Sequence, residues 1–153
     1  MIRKKYQVSV AASKEKCADL MLGLTDKSTY EAWTAVFNPT STYDGSWDLG
    51  SKIRFIGVDE NGKRAGMVAR IVVHEPADFV SIQHYGLVED EMEITEGPQV
   101  ESWAGGYENY QFESDGQQTI IKVEVDVTAD HEEYFDKTYP NALEKLKEII
   151  EAN

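Results

Sequence analysis

The beginning of the chain alternates between polar and apolar residues and then changes to helical spacing. Tyr6, Val8 and Val10 share one parity, which predicts a strand over 4–10 with one buried face. Two short helices are predicted next, the first beginning at an N-cap, Ser13, and the second at a capping box. The apolar stripe of the first helix is Cys17, Leu20, Met21 and Leu24, and that of the second is Tyr30, Trp33 and Phe37. Ser28 and Glu31 form the predicted capping box of the second helix, and Asn38-Pro39 ends it.

After Pro39 the pattern changes to strands and turns, which continue for about ninety residues. Asn61-Gly62 and Asp115-Gly116 each separate two strand patterns and therefore predict β-hairpins. The segment 75–78, Glu-Pro-Ala-Asp, predicts a third tight turn. One face of the resulting antiparallel sheet is expected to be buried. The apolar positions that share this face are Met67, Ala69, Ile71 and Val73, and Ile121, Val123, Val125 and Val127.

The last segment has the apolar stripe of a long helix. Asp130 and Glu133 have capping-box spacing at its start, and Pro140 predicts a kink or a division within it. A long helix that covers the concave face of a curved antiparallel sheet leaves room for a cavity between the two layers. The pattern therefore predicts an α+β fold with such a cavity. The stripe consists of Phe135, Tyr139, Ala142, Leu143, Leu146, Ile149 and Ile150.

Composition narrows the classes of partner. The 153 residues, 41% hydrophobic and 28% charged, fit one globular domain. The formal net charge of −13 repels phosphate backbones and anionic lipid surfaces, so neither nucleic-acid binding nor membrane insertion is expected. A single cysteine, Cys17, excludes an internal disulfide and is typical of a reducing compartment. No signal-peptide pattern precedes the first strand, and we expect a cytoplasmic protein.

Three parts of the chain form a recognisable combination: the two short helices after the first strand, the segment 47–55 (WDLGSKIRF) and the segment 135–147 (FDKTYPNALEKLK). This combination resembles the START-like superfamily, also called SRPBCC or Bet v-like. The nearest branch is that of the bacterial homologues of the activator of the heat-shock-protein-90 ATPase. The resemblance implies a single START-like domain over 1–153 with the helix-grip fold, in which six to seven strands wrap around the long C-terminal helix. The roles it implies are lipid or hormone binding, polyketide cyclisation or dehydration, and stimulation of a chaperone.

Candidate catalytic groups are few. The histidines are His74, His84 and His131, and none has the spacing of a zinc pair, so no metal and no cofactor are expected. His84 shares its parity with the apolar residues before it on the predicted strand, and we expect it to face the cavity as a polar anchor or general acid. The alternative is a core histidine with satisfied hydrogen bonds. Tyr85 and Tyr110 are the candidate tyrosines for proton transfer with His84.

Aromatic residues give a further signal, because three Trp, eight Tyr and five Phe occur, many of them on segments that are expected to face the long helix. They either line a cavity or fill a solid core. Several tyrosine hydroxyls beside one cavity would favour an amphipathic ligand, because each buried hydroxyl needs a partner. The candidate ligand-binding residues are Trp33, Phe37, Phe55, Met67, Ile71, Ile82, His84, Trp103, Tyr107, Tyr110, Tyr134, Thr138 and Leu143.

Three functions remain open from the sequence. The first is the binding of a small hydrophobic or aromatic molecule in the cavity, without catalysis. The second is an enzyme of the cyclase, dehydratase or hydrolase type that acts on an aromatic or polyketide-like substrate there. The third is a chaperone-associated protein that acts through its sheet surface. The oligomeric state is also open between a monomer and a weak homodimer formed through an exposed strand edge.

Overall fold

The computed structural model describes residues 1–153 and contains eight strands and three α-helices. The order of elements is the one that the sequence predicts, and the sheet has one short strand more than expected. The bounds are β1 (Ile2–Val10), α1 (Lys14–Leu22), α2 (Lys27–Thr34), β2 (Thr42–Gly45), β3 (Lys52–Val58), β4 (Arg64–Glu75), β5 (Phe79–Glu89), β6 (Met92–Ile94), β7 (Gly106–Asp115), β8 (Gln118–Val127) and α3 (Glu132–Glu151).

All strands belong to one antiparallel sheet with the order β1-β8-β7-β5-β4-β3-β2, and the additional strand β6 pairs with β5. The first strand therefore pairs with the last one, which leads directly into α3. Because β1 and β2 each pair on one side only, the sheet is open rather than a closed barrel.

The predicted turns are confirmed. Asn61-Gly62 lies between β3 and β4. Asp115 is the last residue of β7, and Gly116 begins the turn that leads into β8. Gly62 and Gly116 have φ values of 77° and 66°, in the left-handed region that glycine adopts without steric cost. The segment 75–78 connects β4 and β5 through a hydrogen bond from the Asp78 N–H to the Glu75 carbonyl at 3.0 Å.

Two bulges in β4 alter the predicted alternation. The register with β5 shifts between Val68 and Ala69 and again between Ile71 and Val73. Ala69 and Ile71 lie in the main core, whereas Val73 is only half-buried and Val68 packs with a small separate cluster. Bulges of this kind increase the local bend and twist of a strand.

The short helices differ from the prediction in two details. Ser13 caps α1 as expected, its hydroxyl accepting from the Lys16 N–H at 3.2 Å, but Gly23 ends this helix, so Leu24 lies outside it and is 51% exposed. In α2 the N-cap is Asp26, whose carboxylate accepts from the Ser28 N–H at 2.9 Å. The predicted capping box at Ser28 is therefore wrong.

The terminal helix α3 is continuous through Pro140, so the predicted division is absent, and its inner face buries Tyr139, Leu143 and Leu146. A short 3-10 turn, Ala129–His131, precedes it, and no side chain caps its first turn, so the predicted capping box is absent. The face is part of a core of 26 buried residues that α1, α2 and α3 form with the sheet. None of the helices combines the length and the apolar composition that crossing a membrane requires.

Candidate functional site

Two adjoining cavities lie between the first half of α3 and the sheet, with volumes of ≈ 290 Å³ and ≈ 280 Å³. Four residues line both: Met67 on β4, His84 on β5, Glu108 on β7 and Phe135 on α3. Each cavity is lined by one tryptophan that the other lacks, and we name each cavity after that residue. The Trp103 cavity is also lined by Leu87, Trp103, Gly106, Val125, Asp126, Val127, Thr128 and His131. The Trp33 cavity is also lined by Tyr30, Trp33, Thr34, Phe37, Asn38, Ser41, Phe55, Ile56, Gly57, Ala65, Gly66, Tyr110 and Tyr139.

A buried acid–histidine pair separates the two cavities. In the β5–β7 ladder, His84 lies opposite Gly106 and Glu108 lies opposite Ile82, so His84 and Glu108 are diagonal neighbours on the same face. Their side chains are 11% and 17% exposed, and His84 Nε2 lies 3.0 Å from Glu108 Oε1. The sheet register therefore brings the two groups together.

Two tyrosines bind the other oxygen of the same carboxylate. Tyr110, two residues further along β7, donates its hydroxyl to Glu108 Oε2 at 3.3 Å. Tyr139 donates its hydroxyl to Glu108 Oε2 from α3. Because Tyr139 comes from the helix and Glu108 from the sheet, this carboxylate also links the two layers.

The hydrogen bonds determine the charge of the cluster. Burial by itself raises the pKa of Glu108, but the hydrogen bond from His84, the charge that His84 carries when protonated, and the hydrogen bonds from Tyr139 and Tyr110 together outweigh it and lower the pKa below the ordinary value. Burial and the adjacent Glu108 carboxylate raise the pKa of Tyr110 and of Tyr139 well above the ordinary value. At neutral pH the cluster therefore contains an ionised Glu108 that accepts hydrogen bonds from two protonated tyrosines and from His84.

His84 leaves one nitrogen without a partner. Because Nε2–H donates to the Glu108 carboxylate, Nδ1 of a neutral imidazole is an acceptor. Nδ1 is buried and has no hydrogen-bond partner. The Phe55 ring lies at its edge, with ring centroids 5.7 Å apart. Buried acceptors without a hydrogen-bond partner are uncommon in folded proteins, so His84 differs from an ordinary core histidine.

The Trp33 cavity is the aromatic end of the site. The predicted face of α2 is formed, with Trp33 1% exposed and its Nε1–H donating to the Met21 carbonyl at 2.8 Å. Phe37 continues this face beyond the helix and contacts Phe135 and Tyr139 at centroid distances of 6.4 and 5.1 Å. Rings from α2, from the segment after it and from α3 therefore surround this cavity.

Gly106 lies at the sheet end of the Trp103 cavity. Gly105, with φ of 92°, turns the chain into β7, and its N–H donates to the His84 carbonyl at 2.8 Å. A Cβ at Gly106 would lie 3.0 Å from Met1 Sδ. The Gly106 N–H donates to the Trp103 carbonyl at 3.0 Å, so the two glycines form the turn that leads into β7.

The structure brings seven of the sequence-predicted site residues to the cavity walls: Trp33, Phe37, Phe55, Met67, His84, Trp103 and Tyr110. The others line neither cavity. Ile71, Ile82 and Leu143 fill the closed core, Tyr134 is 46% exposed, and Thr138 is half-buried on α3.

Strand alternation places the remaining two tyrosines on the opposite face of the sheet. Tyr107 lies an odd number of positions from Tyr110, and its hydroxyl accepts from Gln83 at 3.3 Å. Tyr85 follows His84 directly and packs against the small cluster of Ile56, Val68 and Val88, with the Arg70 guanidinium 5.3 Å from its ring centroid. Tyr85 therefore does not lie beside His84 in either cavity, contrary to the expectation from the sequence.

Sequence reasoning did not select Glu108 or Tyr139. The parity that Glu108 shares with Tyr110 on the predicted strand was the available signal, since a residue in phase with an inward tyrosine also faces inward. Tyr139 was placed on the apolar stripe of the last helix but not at the site. No three His, Cys, Asp or Glu side chains cluster as a metal site would require.

The chain matches no protein-family model and no curated protein sequence. Solved structures resemble it over nearly its whole length. The Aha1 dimer from Colwellia psychrerythraea has 23% identity, covers 99% of this chain and 97% of that chain, and has a TM-score of 0.67. Ara h 8.0201 has 11% identity, 99% coverage of both chains and a TM-score of 0.66.

A third similar structure is the di-domain ARO/CYC StfQ from the steffimycin biosynthetic pathway. It has 16% identity and a TM-score of 0.65, and the match covers 97% of this chain and 44% of that chain. At identities below 25%, these likenesses concern the fold. Together with the open antiparallel sheet and the long C-terminal helix, they show that the chain has the helix-grip fold.

Proposed function

We propose that the protein binds a small hydrophobic or aromatic molecule in the Trp33 and Trp103 cavities. The observation that carries this proposal is the pair of adjoining apolar cavities, which meet at a single polar cluster, His84 and Glu108. Ligand sites in proteins are typically concave and apolar, with a few polar groups that fix the orientation of the ligand.

The dimensions support a small ligand. Each cavity, at ≈ 290 and ≈ 280 Å³, lies near the lower end of the usual range for ligand pockets. Native cores are normally close-packed, with few voids larger than a water molecule. Apolar space of this size beneath α3 is therefore unusual for a packed core and is available to a ligand.

A cavity-filling variant tests the proposal. Met67→Trp enlarges a side chain that lines both cavities, and we expect it to weaken binding at least about tenfold, because the added ring occupies space that the ligand needs. Met92→Trp is the matched control, since Met92 is 69% exposed on β6. The measurement is native mass spectrometry of the ligand that co-purifies, followed by titration calorimetry with that compound.

The outcome that would contradict the proposal is also specific. If no small molecule co-purifies and no compound from a hydrophobic extract raises the melting temperature, the cavities do not serve as a ligand site. Equal binding by Met67→Trp and Met92→Trp would place the ligand elsewhere on the protein.

A second candidate function is an enzyme of the cyclase, dehydratase or hydrolase type at the same site. The observation that favours it is the hydrogen bond from His84 Nε2 to Glu108, since a carboxylate that orients an imidazole is the usual support for acid–base catalysis. The same mass-spectrometry experiment separates the two functions. A binder returns the added compound unchanged, whereas an enzyme returns a product that differs by one water or by ring closure.

A further inference from the structure

We propose that the ligand is a hydrophobic amine, whose protonated nitrogen binds at Glu108 while its apolar body lies against the surrounding aromatic rings. This inference rests on the proposed function and narrows it to one charge class of ligand.

The charged groups that line the cavities support this class. No lysine or arginine lines either cavity, whereas Glu108 lines both and Asp126 lines the Trp103 cavity. Asp126 already has a counter-ion, because Arg3 donates to it at 2.9 and 3.1 Å. The partners of Glu108 are His84 and two tyrosines. Glu108 is therefore the one cavity carboxylate without a lysine or arginine partner.

Glu108 can accept a further hydrogen bond, so a ligand that donates one would fit the cluster. A carboxylate has about four acceptor positions, and Glu108 uses three of them, for His84, Tyr110 and Tyr139. One acceptor position of Glu108 is therefore left without a partner. An ammonium group has only donors and a positive charge, so it can fill that position.

The aromatic rings add to this preference. Phe37, Phe55 and Phe135 line the Trp33 cavity on the same side of the core as Glu108. The faces of such rings carry partial negative charge and attract cations. A ligand carboxylate would instead meet the charge of Glu108 in a partly desolvated site, where repulsion between like charges is strong. The cavities should therefore reject fatty acids and aromatic acids.

Three probes with one ring system test the charge preference: 2-naphthylmethylamine, 2-naphthalenemethanol and 2-naphthoic acid. At about pH 7.5 the first is a cation, the second is neutral and the third is an anion. Titration calorimetry on the full chain should give the order amine, alcohol, acid. We expect the amine to bind at least about tenfold more tightly than the alcohol, since a charge-assisted hydrogen bond is added.

A matched pair of variants locates the effect. Glu108→Gln keeps the size of the side chain and removes its charge, whereas Glu113→Gln makes the same change at an exposed position of the same strand. Each removes one negative charge from a chain of net charge −13, so non-specific attraction of the amine falls equally in both. Glu108→Gln should lose at least about tenfold in amine affinity and keep alcohol affinity within about threefold. Glu113→Gln should bind all three probes like the unchanged protein.

The outcomes separate the inference from the function on which it rests. If the acid binds as tightly as the amine, or if Glu108→Gln and Glu113→Gln bind the amine equally, the amine inference is wrong while ligand binding stands. If none of the three probes binds and none raises the melting temperature, ligand binding in these cavities fails together with the inference. The comparison of probes on the unchanged protein holds even if Glu108→Gln does not fold.

Discussion

Leu143 and Met67 show, at the scale of single residues, where the interior is closed and where it is open. Leu143 is 1% exposed in the main core and lines neither cavity, whereas Met67 lines both. We expect Leu143→Trp to lower the free energy of unfolding by about 3 kcal/mol, because the larger ring overpacks a closed core. Met67→Trp should cost less than about 1 kcal/mol, because open space adjoins its side chain. Urea denaturation of both variants measures the difference, and equal losses would show that the cavities are closed in solution.

The residues of the site were predictable only as far as side-chain alternation reaches. Period-two spacing correctly puts His84 and Tyr110 on the inner face, and the same spacing excludes Tyr85 and Tyr107. Glu108 was not predicted, because a carboxylate on a strand is ordinarily assigned to the solvent side. Its inward position depends on three donors, and the one from α3 is brought there by tertiary packing.

At the scale of elements, two serines that sequence reasoning treats alike have different roles. Ser13 accepts the Lys16 N–H at the start of α1, whereas Ser28 follows the actual N-cap of α2. Ser13→Ala should therefore lower the free energy of unfolding by about 1 kcal/mol, and Ser28→Ala should change it by less than about 0.5 kcal/mol. Thermal or urea denaturation of the two variants checks this. A larger loss of unfolding free energy for Ser28→Ala would show that Ser28, rather than Asp26, caps α2.

Elements with local signals were predicted well, and those with tertiary causes were not. The hairpins at Asn61-Gly62 and Asp115-Gly116 require a residue with positive φ, and the glycine at that position is a recognisable signal in the sequence. The bulges in β4 carry no such signal, because they depend on how β5 pairs with it. Pro140 does not divide α3, since packing of the inner face at Tyr139 and Leu143 continues on both sides of it.

At the scale of the whole molecule, polar contacts hold the first half of α3 to two strands of the sheet, β1 and β7. Lys4 of β1 donates to Glu132 at 2.8 Å, and the Tyr6 hydroxyl donates to Asp136 at 2.7 Å. Tyr139 makes the corresponding contact to β7 through Glu108. The pairing of β1 with β8, between residues far apart in sequence, places these groups side by side. Periodicity along the chain does not encode that pairing, because it joins residues that are far apart in sequence.

The charge of Glu108 has a consequence for the stability of the whole molecule. Its pKa in the folded chain lies below the ordinary value of 4.5, because the donors around it outweigh the effect of burial. A depressed pKa stabilises the folded state fully above the unfolded value, and this contribution disappears as the pH falls through the folded value. The other carboxylates with lowered pKa, such as Asp126 beside Arg3, are the same in Glu108→Gln and cancel in a comparison of the two proteins.

We therefore expect the difference in unfolding free energy between the unchanged protein and Glu108→Gln to be largest above the ordinary glutamate pKa of 4.5 and to shrink steadily as the pH falls below it. Urea denaturation at a series of pH values measures it, with Glu113→Gln as the control for a change of one charge. A difference that stays constant, or that grows as the pH falls, would mean that Glu108 is not held as an ionised group by His84, Tyr110 and Tyr139. In that case the acceptor site that we assign to an amine would be a neutral carboxylic acid.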